Sequence, residues 1–459
     1  MGVATAGHRR AIVALAWPVY VELLAGVVAG IIDVAWVAHL GPAPTAAVAL
    51  ATNLENLVLG LVLIAGAGTT VLIAARPTAE GRREAVRGGA ALSAVITAAV
   101  VGGGLAFRGP VAGMFFGPGD ARRDALGYLA ISVPGLAVYF GQFMVDSVFK
   151  GLGDTRTPMR LAMGANALIL VLDPTLIYGL GLGVRGAAIA TVTGRAAMLA
   201  IAGVVVRRWV GQDRPAEILT AAPAPVASAS AVAVLQVPAV ATALPRRITA
   251  RALAASALDV ARAGAPLGTD FVVRMAGATA LAAVVAGFGV AAVAAYGIGT
   301  KAMYFASMAF YAVRQAATIH SARSAPESGR RIGAAVIGVG ASVGAVAAVV
   351  YAGAAPWIMA AFTGRAEVVS VGVVFLRWLA LYLVPMSVVI SVSGALAAGR
   401  GGNRLPAVTA VGTAVLVLLA HGLAGPFGLP GVWAAMVGSA ALQCAALLVL
   451  MRVSAGRRP

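Results

Sequence analysis

The chain has 459 residues, of which 61% are hydrophobic and 11% charged, with a mean hydropathy of +0.94. So much apolar sequence excludes a set of soluble domains, and the lack of ten-residue segments of alternating polarity excludes a membrane β-barrel. A formal net charge of +18 could suit nucleic acid, but the basic residues gather in short connections between apolar runs, where they report orientation in a membrane. The single cysteine, Cys444, excludes an intrachain disulfide or a cysteine-based metal site and reads as packing.

A bilayer core needs about 20 apolar residues per helix. Stretches of that kind occupy residues 11–39, 46–75, 87–107, 125–149, 159–182 and 184–206, then 258–287, 291–321, 332–362, 369–398, 405–427 and 430–451. They predict an all-α membrane protein of twelve transmembrane helices. The opening MGVATAGHRRAIVALAWP has the basic flank of a signal peptide, but it reads as the first membrane helix. With the N-terminus taken as cytoplasmic, inside loops and tails hold 23 Lys and Arg residues. The outside loops hold 5, namely Arg108, Arg122, Arg123, Arg185 and Arg365. The asymmetry places both termini in the cytoplasm of a cell membrane and the basic loops against anionic lipid.

Landmarks recur along the chain. Pro18 is matched by Pro266, Gly81-Arg82-Arg83 by Gly329-Arg330-Arg331, and Pro158 by Pro406, each 248 residues on. Ala46-Ala47-Val48-Ala49 matches Ala291-Ala292-Val293-Ala294 at 245, which implies a shorter external loop in the second half. The chain is a duplicated six-helix unit: 1–206 forms an N-terminal bundle, 207–251 a cytoplasmic linker and 252–459 a C-terminal bundle. An even number of spans per copy makes the bundles parallel repeats, related by a pseudo-two-fold axis along the membrane normal. Pro223, Pro225, Pro238 and Pro245 keep the apolar middle of the linker from being another span. The pattern G-x-G-x-x-R-x-P, in FKGLGDTRTPMR and again in AAGRGGNRLPAV, reads as the tight inside turn between the fourth and fifth helices of each half.

The run GLGDTRTPM, followed by ALILVLDPTLIYGLGLGVRGAAIATVTGR and preceded by AWPVYVELLAGVVAGIIDVAWVAHLG, resembles the multidrug and toxic compound extrusion (MATE) family. The first-helix acid resembles that of its prokaryotic branch named after DinF. The likeness implies two six-helix bundles around a central cavity and an antiporter that exports amphipathic, often cationic compounds in exchange for H+ or Na+. It also implies that Asp33, from GIIDVAW, and Asp173, from LDPTLIY, bind the coupling ion. Many members carry asparagine four residues before the second aspartate, where this chain has Ile169. A proton needs fewer ligands than Na+, so H+ is the favoured ion.

Apart from any resemblance, an ionised group at the centre of a bilayer costs at least about 2.5–3.5 kcal/mol. The acids within the predicted spans, Glu22, Asp33, Glu55, Asp146, Asp173 and Asp270, are therefore candidate functional groups. For Asp33 and Asp173 the plainer role is a polar pair tying helices one and five together. Asp146 lies near the inner end of helix four and Glu55 stands beside Asn53. Asn166, seven residues before Asp173, shares its helix face, Thr191 follows in the next helix, and Tyr128, Tyr139 and Gln142 are available from helix four. Each of these is a candidate proton relay or cavity lining, against the plain role of a hydrogen bond to a neighbouring helix.

Glu22 and Asp270, each four residues after a repeat proline, could offer paired negative charge to a cationic substrate, although Arg274 at i+4 suggests an internal ion pair for Asp270. Lys301, Arg314 and Arg377 give the second half a basic interior, which favours an anionic or lipid-linked substrate as the alternative. His421 stands where the repeat places the counterpart of Asp173. No H-E-x-x-H, P-loop or G-x-S-x-G appears, so a lipid-modifying membrane enzyme is disfavoured and no cofactor beyond the coupling ion is expected. The expected partners are the small-molecule substrate, the coupling cation and membrane lipid, with the chain a monomer.

Overall fold

The structure is a computed structural model that describes residues 2–210, 249–325, 328–399 and 402–456. The described residues are helical throughout. In chain order they form α1 (Gly2–Ala38), α2 (Pro42–Ala75), α3 (Ala79–Phe115), α4 (Asp120–Gly151), α5 (Arg156–Pro174) and α6 (Val184–Val210). The second set is α7 (Ala250–Ala286), α8 (Val290–Arg323), α9 (Gly329–Phe362), α10 (Ala366–Ala397), α11 (405–427) and α12 (429–456). The last two join at Gly428, whose φ of 61° ends one helix and starts the next. These are the twelve helices expected from the apolar runs, and the chain is a multi-pass membrane protein. Ten helical segments of the described residues are long and apolar enough to cross a membrane, one of them covering both α11 and α12. α8, which carries Lys301, Arg314 and Arg323, is outside those ten.

Helix ends correct one detail of the repeat. α1 ends at 38 and α7 at 286, α2 begins at 42 and α8 at 290, and these two end at 75 and 323. The offset is 248 at every one of these points, so the two external loops have equal length. Gly41 and Gly289 cap the second helix of each set with φ of 113° and 93°. The alanine match at 245 is a coincidence of an alanine-rich sequence.

The helices form two compact units whose borders do not follow the two sequence halves. One unit contains 25–262, the other 1–24 with 263–459. The first part of α1 therefore packs with the second set: His8 Nδ1 lies 2.9 Å from His320 Nε2, and the Arg9 guanidinium lies against Gly338. Conversely, the start of α7 packs with the first set, where Ser256 Oγ donates to the Glu84 carbonyl at 2.9 Å and seats against Gly88. Most of the linker, residues 211–248, lies outside the described residues.

The turn after α4 follows its sequence. Gly153 takes φ 83°, and the Asp154 carboxylate accepts from the backbone N–H groups of Arg156 and Thr157 at 2.9 and 3.0 Å. The first turn of α5 thereby gains partners for N–H groups that a helix start leaves orphaned. In the second copy, Gly402–Arg404 forms a short 3-10 turn ahead of α11, and Pro406 falls in that helix's first turn.

Candidate functional site

The unit of residues 25–262 buries an acidic cluster. Its outer core joins Val37, Val48, Tyr128, Leu129, Ile177 and Val184, so that α1, α2, α4, α6 and the end of α5 meet around one apolar centre. Asp33 lies one helical turn before Val37 on the same face of α1. Asp33 interacts electrostatically with Glu55 from α2, with Arg195 from α6 and with Asp173 from α5. Glu55 also feels Arg195, and Tyr128 from α4 feels all four of these groups. Arg195 lies over the Tyr139 ring, its guanidinium carbon 4.5 Å from the centroid, a cation-π stack. Two carboxyl groups, Asp33 and Glu55, thus share one guanidinium, and Asp173 joins the cluster through Asp33.

Local backbone explains how Asp173 reaches this point. Pro174 has no N–H to give to the Leu170 carbonyl, and the helix widens at once into a π turn, Thr175–Gly179. Asp173 is 1% exposed at that junction. α6 crosses the π turn closely because Gly186 has no side chain: a Cβ there would stand 2.7 Å from the Leu176 carbonyl carbon. Tyr178, in the π turn, donates to the Trp36 carbonyl on α1, tying it to the helix that carries Asp33.

Asp33 Oδ1, Asp173 Oδ1 and Asn166 Nδ2 are among the side-chain atoms of this unit that are buried with no hydrogen-bond partner. Buried polar groups are almost always satisfied, so the two open carboxylate oxygens suit groups that bind and release a small cation, while Asn166 Nδ2 can only donate to an acceptor. Ile169, one turn before Asp173, is buried against α6, its Cγ1 2.5 Å from where a Cβ on Gly194 would lie, so that face of Asp173 offers carbon and no oxygen ligand.

The remaining candidates divide by position. Asp146 is buried, but it lies 18 residues beyond Tyr128 on α4, about 27 Å along the axis at 1.5 Å per residue. It belongs to the inner end of the bundle, one turn before Lys150, and away from the carboxylate cluster. Gln142 is buried one turn beyond Tyr139. Thr191 is half-buried on α6, one turn before Arg195. The side chain of Asn53 lies outside the described residues. Arg195 was not among the residues singled out from the sequence, although the cost of burying charge applies equally to an arginine in the span 184–206.

The other unit, residues 1–24 with 263–459, corrects three expectations. Asp270 does not offer a free negative charge. Its side chain is fully buried, with Arg274 Nη2 and Nε at 3.0 and 3.3 Å, Arg314 Nη1 at 3.3 Å and Thr409 Oγ1 donating at 2.6 Å. Both oxygens are saturated by the i+4 arginine, an arginine of α8 and a threonine of α11. Lys301 and Arg377 are exposed, so the basic interior of this unit consists of Arg274 and Arg314. His421 is exposed too, its Nδ1 2.9 Å from the Val417 carbonyl of its own helix. Glu22 is half-buried in this unit, on the part of α1 that packs there.

Twelve helices in two compact units, with a carboxylate cluster in one of them, define a polytopic all-α membrane protein. The fold superposes on the Vibrio cholerae MATE transporter VcmN in its bent form with a TM-score of 0.83, 18% identity and 98% of each chain covered. It also matches the outward-facing conformation of a multidrug resistance MATE family transporter of the MOP superfamily, with a TM-score of 0.80, 20% identity and 98% and 96% covered. Residues 18–175 match the MatE family model. In sequence, the chain is 29% identical over 196 residues to a probable multidrug resistance protein NorM of Thermotoga maritima, covering 41% of this chain and 42% of that one. It is 29% identical over 197 residues to Protein DETOXIFICATION 44, chloroplastic, of Arabidopsis thaliana, covering 39% and 38%. Each match spans about two-fifths of the curated relative's length. The chain is similar to MATE family proteins in fold along its length and in sequence over residues 18–175.

Proposed function

We propose that the protein is a proton-coupled antiporter of the cell membrane that exports amphipathic small molecules by alternating access. The observation that carries this reading is the Asp33, Glu55 and Asp173 cluster around Arg195, with an oxygen of each aspartate buried and unbonded. Two carboxyl groups this close titrate as a pair. Protons taken from outside neutralise Asp33 and Asp173 and favour the conformation that releases substrate outward. When the protons leave to the cytoplasm, the restored negative charge recaptures a cation-bearing substrate. Asn166, Tyr128, Tyr139, Gln142 and Thr191 line or support the path in this scheme, and Arg195 keeps the deprotonated cluster from carrying its full repulsion. The likeness to multidrug resistance proteins supports the export reading, and the apolar Ile169 one turn before Asp173 supports a proton over sodium as the coupling ion.

The test is efflux of a fluorescent lipophilic cation from proteoliposomes under an imposed proton gradient and, separately, a sodium gradient. Wild type is expected to respond to the proton gradient, and Asp33→Asn and Asp173→Asn to lose at least about tenfold in rate, equivalent to about 1.4 kcal/mol in the barrier. Wild-type rates in the double asparagine variant would sink the mechanism. Transport driven by sodium alone would keep the antiporter and change the ion.

A further inference from the structure

The cluster at Asp270 has more positive charge than its carboxylate can answer. Arg274 and Arg314 both converge on it, so the group carries one negative and two positive charges in the spanning parts of α7 and α8. One guanidinium would be enough to satisfy Asp270 and to hold these helices together. A second buried cation adds several kcal/mol of desolvation without a partner of its own.

The donors show where a partner would go. A guanidinium has five N–H groups. Arg274 commits Nε and Nη2 to Asp270, while its Nη1 points at the Met386 sulfur at 3.6 Å, a weak acceptor. Arg314 gives Nη1 to Asp270 and reaches the Leu267 carbonyl from Nη2 at a long 3.4 Å. The Arg274 side chain is 11% exposed and that of Arg314 10%, against 0% for Asp270, so the cations, not the anion, keep accessible surface. Around them stand two half-buried phenols: Tyr311, whose ring lies 5.7 Å from the Arg314 guanidinium carbon, and Tyr382, within electrostatic reach of Arg274. The scaffold is rigid here. Thr318 donates to the carbonyls of Arg314 and Gly394, and Gly394 lets α10 approach so closely that a Cβ would stand 2.1 Å from the Arg314 carbonyl oxygen.

We infer that Arg274 and Arg314, framed by Tyr311, Tyr382 and Met386, form a subsite for an oxyanion group, a carboxylate or phosphate, borne by an amphipathic molecule. Asp270 holds the guanidiniums in place and leaves one unit of positive charge and the Arg274 Nη1 edge for the ligand. The inference rests on the transport reading and deepens it, since it makes the substrate zwitterionic or anionic rather than a simple cation.

The test is equilibrium binding of a carboxyl-bearing rhodamine and its ethyl ester to the purified full-length protein in phosphatidylcholine nanodiscs. These dyes share one ring system and differ in the oxyanion. Wild type is expected to bind the free acid about tenfold or more tightly than the ester, the range of a charge-assisted bidentate pair. Arg274→Gln leaves Asp270 and Arg314 as a balanced pair; it is expected to abolish that preference while leaving ester binding within about twofold. Arg274→Lys, which keeps the charge without the planar fork, should restore only part of it. Adding phosphatidylglycerol separates the two sources of oxyanion: competition identifies a lipid phosphate as occupant, and its absence a soluble substrate. Equal affinity of wild type for acid and ester overturns the inference even if the variants do not fold, as does an equal loss of both dyes in Arg274→Gln. No ion gradient enters the measurement, so its failure is distinct from a failure of proton coupling.

Discussion

Arg195 sets the electrostatic balance of the acidic cluster. It interacts with Asp33 and Glu55 and stacks on Tyr139, and the group would carry two net negative charges with all three acids ionised. Removing one partner of a buried pair costs about 3–5 kcal/mol, because the other charge is left unanswered, whereas removing both can be neutral. Arg195→Gln is therefore expected to lower the thermal unfolding midpoint sharply, and Glu55→Gln in the same chain to recover most of the loss. The two changes measured singly and together in detergent give the coupling energy; simple additivity would show that Arg195 does not act on Glu55. At this scale the sequence was readable only in part. Asp33 and Asp173 stand out because a carboxyl group in an apolar run has no cheap explanation, and Asp270 with Arg274 stands out through its i+4 spacing. Arg314 joins them from α8, 44 residues along the chain, and no local spacing announces such a contact. Lys301 and Arg377 looked interior for the opposite reason: their helices are apolar on every side, so position along the helix says nothing about the face.

At the scale of elements, the approach of α6 to the π turn places Asp173. Gly186 permits it, since a Cβ there would meet the Leu176 backbone, which cannot swing aside as a side chain can. Gly186→Ala is expected to destabilise by about 1–3 kcal/mol, the usual cost of overpacking a tight contact, and to impair proton-driven efflux by displacing Asp173. Gly203→Ala is the control on the same helix, because nothing lies within 4 Å of its Cβ position. It should gain up to about 1 kcal/mol from helix propensity and leave transport unchanged. Equal effects from the two would show that the close crossing is not what matters. Helix number was legible from the apolar runs, and the turn after α4 from its G-x-G-x-x-R-x-P pattern, where Gly153 takes positive φ. The division of α1 and α7 between the two units was not. A repeat states which residues are equivalent, and equivalence does not specify which bundle a helix end packs against.

At the scale of the whole molecule, orientation decides which way the proposed proton cycle runs. α3 has 37 residues, about 55 Å at 1.5 Å per residue, against a hydrocarbon core of about 30 Å. Such helices continue into the water on at least one side, and the arginines at their ends fix the direction. On the imbalance of 23 basic residues against 5, the connection between α2 and α3 is expected inside the cell and that between α3 and α4 outside. Cys444 is the sole cysteine, so a Cys444→Ser background allows single reporters. Gly117 and Pro77 are exposed positions in the two connections. Gly117→Cys is expected to react with a membrane-impermeant maleimide in intact cells, and Pro77→Cys only after the membrane is opened. The reverse pattern would place the charged loops outside, and protons entering from the periplasmic or external face would then reach the carboxylates from the side the cycle assigns to their release. Labelling of both in intact cells would mean mixed insertion, and a charge asymmetry this large should not allow it.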